Sequence, residues 1–354
     1  MQILLIKTSS LGDVFHTLPA LTDAHRAIPG LRVDWVVEEA FAQIPTWHPA
    51  VAKVIPLAWR RWRKQLTKAR TWGEMRGFYG ALTAKPYDLV LDAQGLLKSA
   101  LVTRLARGPR CGLSRRSARE PLASLAYDRP LDIAKGQHAI HRLRQLFAAC
   151  LGYDASQHEL DYGIDKQRWP APASNRPYVV FLHGSTWDTK LWPETYWRQL
   201  RDLAITDGYD VVLPWGNAEE RQRAMRLAAD SPQARVFDKA PLEEVARLLA
   251  HASAVVGVDT GLSHVAAALA IPTVAIYGAT DPRLTGILGP RTTVLQSGFA
   301  CAPCLKKHCP LKGQDPAIPF EPCYQELAPS LVWGEIQSAL CNAPLANLLE
   351  QHGN

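Results

Sequence analysis

QILLIKTSSLGDVFHTLPAL, residues 2–21, sets the architecture of the chain. The opening QILLIK (2–7) is a short apolar run and reads as a strand. Lys7-Thr8-Ser9-Ser10 ends it in polar side chains, Gly12 permits a turn, and one carboxylate, Asp13, stands where a helix begins. The apolar spacing of TLPALTDAHRAI continues that helix. A strand that leads through a polar turn into an amphipathic helix is one βα unit.

The unit recurs along the chain. Further aliphatic runs are RVDWVV (32–37), KVIPLA (53–58) and DLVLDA (88–93), then YVVFLHG (178–184), DVVLPWG (210–216), RVFDK (235–239), AVVGVDTG (254–261) and TVAIYGAT (273–280). Near-continuous apolar strands alternating with helices predict parallel sheets covered on both faces. Two sets predict two α/β domains. DKQRWPAPASNRP (165–177), polar and rich in proline, reads as an extended linker. The expected organisation is a domain over 1–164, the linker over 165–177, a domain over 178–328 and a C-terminal helical region over 329–354.

Composition narrows the class. With 354 residues, 47% of them apolar, the chain is long enough for two cores. It has no run of about 18 apolar residues and no basic-then-apolar leader, so a cytoplasmic protein is expected. The net charge of +7 points to an anionic partner, whether nucleic acid, lipid or phosphorylated substrate. WRRWRKQLTKAR (59–70) gathers Arg60, Arg61, Arg63, Lys64, Lys68 and Arg70 around Trp59 and Trp62. Such a stretch is either a solvated face or an anion-binding surface, and the clustering favours the second. Seven cysteines include four between 301 and 323. Cys111, Cys150 and Cys341 are scattered and are expected to be buried thiols, so no disulfide framework is predicted.

Small and polar residues collect at the strand ends, where open parallel sheets bind ligands. Each such turn also satisfies ordinary turn chemistry. Taken together, and with Lys190 and His264 nearby in sequence, they predict a ligand cleft between the domains. VDTGLSHVAAALA (258–270) is the strongest local signal: a strand ends at Asp259, Gly261 turns the chain, and a helix follows. Free amides at that helix start suit a diphosphate, and Asp259 is suited to accept from sugar hydroxyls or from those amides. The stretch is neither the dinucleotide G-x-G-x-x-G pattern nor a P-loop.

The chain resembles the ADP-heptose:lipopolysaccharide heptosyltransferases. The matching stretches are KTSSLGDVFHTLPALTDAHRAIPG, DWVVEEAFAQIPTWHPAV, RRWRK, DAQGLLKSA, SAREPLASLAYDR, FLHGSTWDTKLWP, LPWG and VDTGLSHVAAAL, from residue 1 to about 290. The resemblance implies the GT-B fold class: two Rossmann-like domains with parallel sheets facing across a cleft, and a C-terminal helix crossing back to the first domain. It implies inverting transfer of heptose from ADP-heptose to the Kdo of the inner core on lipid A, the first heptose being favoured. Asp13 is then the general base. Ser185, Thr186 and Lys190 bind the donor diphosphate, Lys190 also serving catalysis. Glu220 and the turn at Ala240 lie along the nucleotide. Asp259, Thr260, Gly261 and His264 hold the donor sugar and phosphates. Arg60, Arg61, Arg63, Lys64 and Arg119 meet a phosphorylated Kdo2-lipid A acceptor, with Trp59 and Trp62 suited to the lipid interface. The implied location is the cytoplasmic face of the inner membrane of a Gram-negative bacterium, on an anionic surface, with no cofactor needed for the chemistry. An inverting displacement calls for one carboxylate to take the acceptor proton, and the paired carboxylates of glycosidases are not evident.

The segment CAPCLKKHCPLKGQDPAIPFEPC (301–323) is similar instead to the cysteine-bearing tail of members that add the second heptose. Its Cys301, Cys304, Cys309 and Cys323 are suited either to a structural zinc or iron site or to a loop of reduced thiols. Two alternatives stand beside a first-heptose enzyme: second-heptose transfer, and a protein-modifying heptosyltransferase, against which RRWRK speaks. A nucleic-acid-binding protein is a remote third; no recognised module is present, and no nucleic-acid partner is expected.

Overall fold

The first apolar run is β1 (Gln2–Ile6), buried along nearly its whole length. In the computed structural model, which describes residues 1–155, 158–171 and 176–341, it lies inside a six-stranded sheet. The other strands are β2 (Arg32–Glu38), β3 (Val51–Leu57), β4 (Leu89–Asp92), β5 (Arg110–Leu113) and β6 (Arg129–Leu131). All pair in parallel, in the order β3-β2-β1-β4-β5-β6. The helices of this unit are α1 (Leu11–Ala27), α2 (Trp59–Trp62), α3 (Ala69–Thr83), α4 (Leu97–Leu105) and α5 (Ala139–Leu151). Leu4, Ile6, Val36, Ile55 and Val90 meet Trp62, Leu82 and Val102 in one of its cores.

The second sheet holds β7 (Tyr178–Leu182), β8 (Asp210–Leu213), β9 (Ala234–Val236), β10 (Ala254–Val258), β11 (Thr273–Tyr277) and β12 (Thr292–Gln296), again parallel, ordered β12-β11-β10-β7-β8-β9. Its helices are α6 (Glu194–Thr206), α7 (Ala218–Ala228), α8 (Leu242–Ala250), α9 (Gly261–Ala268), α10 (Pro282–Thr285) and α11 (Pro329–Cys341). Phe181, Trp192 and Trp197 anchor this core, with Trp192 and Trp197 edge to face at 5.1 Å. Such pairs add about 0.5–1.5 kcal/mol beyond area burial. Gly257 matters for close packing. A Cβ there would lie 2.3 Å from Ser263 Oγ, whose hydroxyl donates to the Val258 carbonyl, so only glycine lets α9 sit this close to β10.

Counted from its own first strand, each sheet has the order 3-2-1-4-5-6 of dinucleotide-binding folds. The strand order reverses between β1 and β4 and between β7 and β10, and ligands bind beyond the carboxyl ends at such a reversal. The chain divides into two compact units, Met1–Asp165 with Arg283–Thr285, and Lys166–Pro282 with the residues from Gly286 on.

Several features depart from expectation. β5, β6 and β12 were not signalled. β5 and β6 are very short and broken by Gly112 and Pro130, and β6 and β12 are edge strands. Proline is tolerated at an edge, where one ladder face goes unpaired. Cys111 on β5 and Cys150 on α5 are joined in a disulfide, not two separate thiols. The fold brings two cysteines 39 positions apart in sequence together, which spacing does not reveal. Part of the expected linker is structured: 166–168 form a 3₁₀ turn, and Trp169 is buried and donates from Nε1 to Glu243. Residues 172–175 lie outside the described residues. α11 packs on α6, β10 and β11 within the second unit, and the rest of the C-terminal region, 342–354, where a crossing was expected, also lies outside them. Among the described residues, no helix is long and apolar enough to cross a membrane.

Candidate active site

At the reversal in the first sheet, the turn after β4 shapes the turn after β1. Asp92 is fully buried, and burial pushes its carboxyl up, opposed by the hydrogen bonds it accepts. Its Oδ1 accepts from the Gln94 and Gly95 amides and its Oδ2 from the Tyr127 hydroxyl. That network fixes Gln94, whose Oε1 accepts from the Thr8 and Ser9 amides at 3.0 and 3.3 Å. The chain then enters α1. Asp13 sits in the first helical turn, at the third position after the Ser10 N-cap. Asp13 Oδ2 accepts from the Ser10 amide (2.6 Å) and hydroxyl (2.9 Å), while Oδ1 faces the Lys7 ammonium at 3.9 Å. Lys7 itself is buried and donates to the Ala93 carbonyl.

Asp13 and Lys7 line a pocket with Gln94, Arg119, Lys135 and Arg142. Four cations around one carboxylate give the pocket a positive balance, which favours an anionic ligand. Lys98 adds a fifth cation beside it, donating to Ser9 Oγ at 3.1 Å, its pKa lowered mainly by burial. Of the candidate acceptor residues, Arg119 lines the pocket and Arg60, Arg63 and Lys64 are exposed. Arg60 places its guanidinium over the Phe41 ring and its amide on Glu38. Arg61 corrects the expectation. It grips Glu39 through two nitrogens (3.0 and 2.8 Å) and Glu74 through a third (2.7 Å), and those bonds raise its pKa. Its charge is thus spent within the unit. Trp62 is a second correction: it is buried, with Nε1 donating to Glu74, and Trp59 is partly buried. Glu74 is held down to about 2, first by Trp62 and then by Arg61.

At the reversal in the second sheet, β7 and β10 end side by side. Ser185 Oγ donates to the Asp259 carbonyl at 3.1 Å. The Asp259 carboxylate accepts from Lys190 Nζ at 2.7 Å and from Thr280 Oγ1 at 2.6 Å. It holds the lysine rather than capping α9, which starts at Gly261 with Thr260 as N-cap and no side-chain cap. Lys190 also lies over the Trp187 ring at 4.6 Å. Thr186 is exposed and His264 is buried on α9. Beside this group is a cavity of about 230 Å³ lined by Leu182, Gly184, Trp215, Glu220, Ala240 and Thr260, among others. Glu220 borders it with Oε2 accepting from the Gly216 amide. Thus Ser185, Lys190 and Asp259 form one bonded group, and Glu220, Ala240 and Thr260 line an adjoining cavity. A lysine, hydroxyls and a helix start can hold a diphosphate, and the apolar cavity a flat base.

The segment carrying the four cysteines braces this group. Thr189 donates through its amide and hydroxyl to the carbonyls of Lys307 and Lys306, the Tyr324 hydroxyl donates to the Thr189 carbonyl, and the Leu305 amide donates to Ala279. Cys301, Cys304, Cys309 and Cys323 are free thiols. Cys323 is pushed up to about 12 by burial and then by Cys309, Cys301 and Cys304. Among the described residues, no group of three or more His, Cys, Asp or Glu side chains stands ready to hold a metal.

Lys7, Gln94, Lys98, Trp215 and Thr280 were not singled out from sequence as site residues. Each lies in or beside a strand-end motif, yet only the fold shows that its side chain joins these groups.

A fold of two 3-2-1-4-5-6 sheets, one with a carboxylate-and-cation pocket and one with a diphosphate-type site, defines the class of GT-B glycosyltransferases. The family model for glycosyltransferase family 9 (heptosyltransferase) matches residues 75–314. The chain is 56% identical over 310 residues to lipopolysaccharide heptosyltransferase 1 of Pseudomonas aeruginosa, covering 87% of each. It is 26% identical to lipopolysaccharide heptosyltransferase 2 of Escherichia coli K12, over 84% of this chain and 88% of that one. The structure of E. coli heptosyltransferase WaaC with ADP matches with a TM-score of 0.85 at 47% identity, over 96% of this chain and 100% of that chain. A second WaaC structure, with ADP-2-deoxy-2-fluoro heptose, matches at 0.78 and 50% identity, over 86% of this chain and 97% of that chain. The chain belongs to glycosyltransferase family 9, the heptosyltransferases.

Proposed function

We propose that this enzyme transfers the first heptose from ADP-L-glycero-D-manno-heptose to Kdo of the lipopolysaccharide inner core, with inversion. The observation that carries the choice of first over second heptose is the 56% identity to a heptosyltransferase 1 against 26% to a heptosyltransferase 2, each over most of the chain. The acceptor hydroxyl attacks the anomeric carbon while the Asp13 carboxylate takes its proton. The carbon–oxygen bond to ADP breaks, and the negative charge that builds on the leaving diphosphate is met by Lys190, the Ser185 and Thr186 hydroxyls and the α9 amides. Asp259 fixes Lys190 before the donor arrives. The Kdo carboxylate and neighbouring phosphates suit the cations around Asp13. The acceptor is Kdo2-lipid A, and the enzyme works at the cytoplasmic face of the inner membrane. The test is transfer from ADP-heptose to Kdo2-lipid A compared with heptosyl-Kdo2-lipid A. Faster transfer to the latter overturns the first-heptose reading.

The reaction needs no metal in this reading. The four clustered cysteines are proposed to take a structural zinc or iron after side-chain rearrangement, stiffening the brace under Lys190. Four thiols in one segment support this reading. Elemental analysis of untagged protein tests it, and a folded sample with four free thiols and no stoichiometric metal rejects it.

A further inference from the structure

Two neighbouring elements of the first unit leave an unusual amount of leucine in solvent. On α4, Leu97, Leu101 and Leu105 recur at every fourth residue and so share a face, and all three are exposed. Ser99, Ala100, Val102 and Thr103 form its buried side. The 3₁₀ turn at Pro121–Ala126 repeats every three residues, which puts Leu122 and Leu125 on one side and Ala123 and Ala126 on the other. The alanines pack with Ala100 and Tyr127, while Leu122 and Leu125 are 59% and 79% exposed. Glu120 ties the two elements together, its carboxylate accepting from the Leu97 amide and its own amide donating to the Gly95 carbonyl.

The segment that carries these leucines is mostly basic. Between Leu97 and Arg129 there are eight basic residues and two acidic ones, in a chain whose total charge is +7. Arg104, Arg107, Arg115 and Arg116 are exposed. Both acids are engaged, Glu120 on the Leu97 amide and Asp128 with Arg110 at 3.5 Å. Arg119, in the same segment, lines the pocket that holds Asp13.

We infer that α4 and the 121–126 turn form the surface on which the enzyme sits on an anionic lipid bilayer, with the leucines in the headgroup–acyl boundary and the arginines among the phosphates. Exposed leucines alone fit a lipid surface or another protein. A segment with eight basic residues against two acidic ones matches an anionic bilayer, because amphipathic binding draws on apolar burial and on attraction to anionic lipid together. The long arginine stems also reach headgroups without taking their charge into the apolar layer. This moves the docking face away from Trp59 and Trp62. It rests on the proposed acceptor being anchored in lipid.

The test compares the parent with a Leu101→Ser/Leu125→Ser variant. Both side chains are solvent-exposed, so the variant should melt with the parent. Co-sedimentation with phosphatidylethanolamine–phosphatidylglycerol vesicles should fall roughly tenfold or more, given the two lost apolar anchors. Binding of the parent should weaken in phosphatidylcholine vesicles and in high salt. Transfer to vesicle-embedded Kdo2-lipid A should fall with vesicle binding, while transfer to a soluble, acyl-free Kdo acceptor stays at the parental rate. Equal vesicle binding by parent and variant overturns the inference. So does a parent that ignores anionic vesicles, or a parental dimer that the variant dissolves, which would make the face a contact between copies. Failure of the parent to use either acceptor, with vesicle binding as expected, rejects the reaction and leaves the surface standing.

Discussion

Asp13 serves the fold and the proposed reaction through different oxygens. Oδ2 closes the start of α1 through Ser10, and Oδ1 faces Lys7 and the pocket. Asp13→Asn preserves the shape and loses a helix-start charge worth about 0.3–1 kcal/mol. General-base catalysis contributes about 10²–10⁴ in rate, or roughly 3–5 kcal/mol. Turnover should therefore drop by about two to four orders of magnitude with a melting shift of only a few degrees and unchanged ADP affinity. Near-parental turnover at saturating substrates would assign the base elsewhere. His48 offers a second residue-scale prediction. The Ala50 amide donates to its Nδ1, so that nitrogen must be unprotonated, and Nε2–H is left to meet Thr22 Oγ1 at 3.0 Å. Burial, then His25, pushes its pKa from 6.5 down to about 3. Burial likewise takes His183 down to about 4. Between these values and 6.5 the unfolded chain binds protons that the folded chain refuses. The stabilisation is thus complete above about pH 6.5 and is lost as pH falls below it. The melting temperature should decline from pH 7 to pH 4, and His48→Asn should flatten that slope. A slope identical to the parent's would remove His48 from the account.

At the scale of elements, the basic stretch from Trp59 to Arg70 divides into two parts. Arg70 pairs with Glu74 within α3, while Arg61 pairs with Glu74 and Trp62 packs against Phe78. The Arg61 and Trp62 contacts hold α2 to α3. Arg60, Arg63 and Lys64 stay exposed and are the cations of this stretch proposed to meet the acceptor. Neutralising those three together should raise the KM for the lipid acceptor several-fold and reduce its salt sensitivity, since exposed charges are screened over about 8–10 Å. ADP affinity should not change. Arg61→Gln should instead loosen the segment, seen as faster exchange of its amides, with a smaller effect on KM. Parental acceptor saturation and salt response in the triple variant would make the stretch a solvated face. Sequence showed the charge cluster but not its division. Glu39 and Glu74 lie 22 and 13 residues from Arg61, and only the folding of β2, α2 and α3 brings them to it.

For the molecule as a whole, the donor-type residues fall in the second unit and Asp13 in the first. ADP should therefore protect amides at 184–190, 215–220 and 259–263 from hydrogen exchange. At about a hundred times its Kd it should stabilise that unit by roughly 2.7 kcal/mol. Lys190→Ala should weaken ADP by about tenfold or more, since a cation is lost and the Asp259 carboxylate is left to repel the diphosphate. Adding Asp259→Asn to that variant should recover part of the loss. Unchanged ADP binding in Lys190→Ala would exclude it from the site. Sequence alone shows the parallel α/β class, the two sets of βα units and most strand ends, because burial on both faces writes itself as unbroken aliphatic runs bounded by polar turns. It also placed Asp13, Lys190 and Asp259 at such turns. Tertiary structure alone decided what those residues touch. It set Asp259 on Lys190 and Thr280, spent Arg61 on two glutamates, joined Cys111 to Cys150 and left the α4 leucines facing outward. The reason is physical: local pattern records whether a side chain is buried, whereas its partner is chosen by strand order and helix packing across tens of residues.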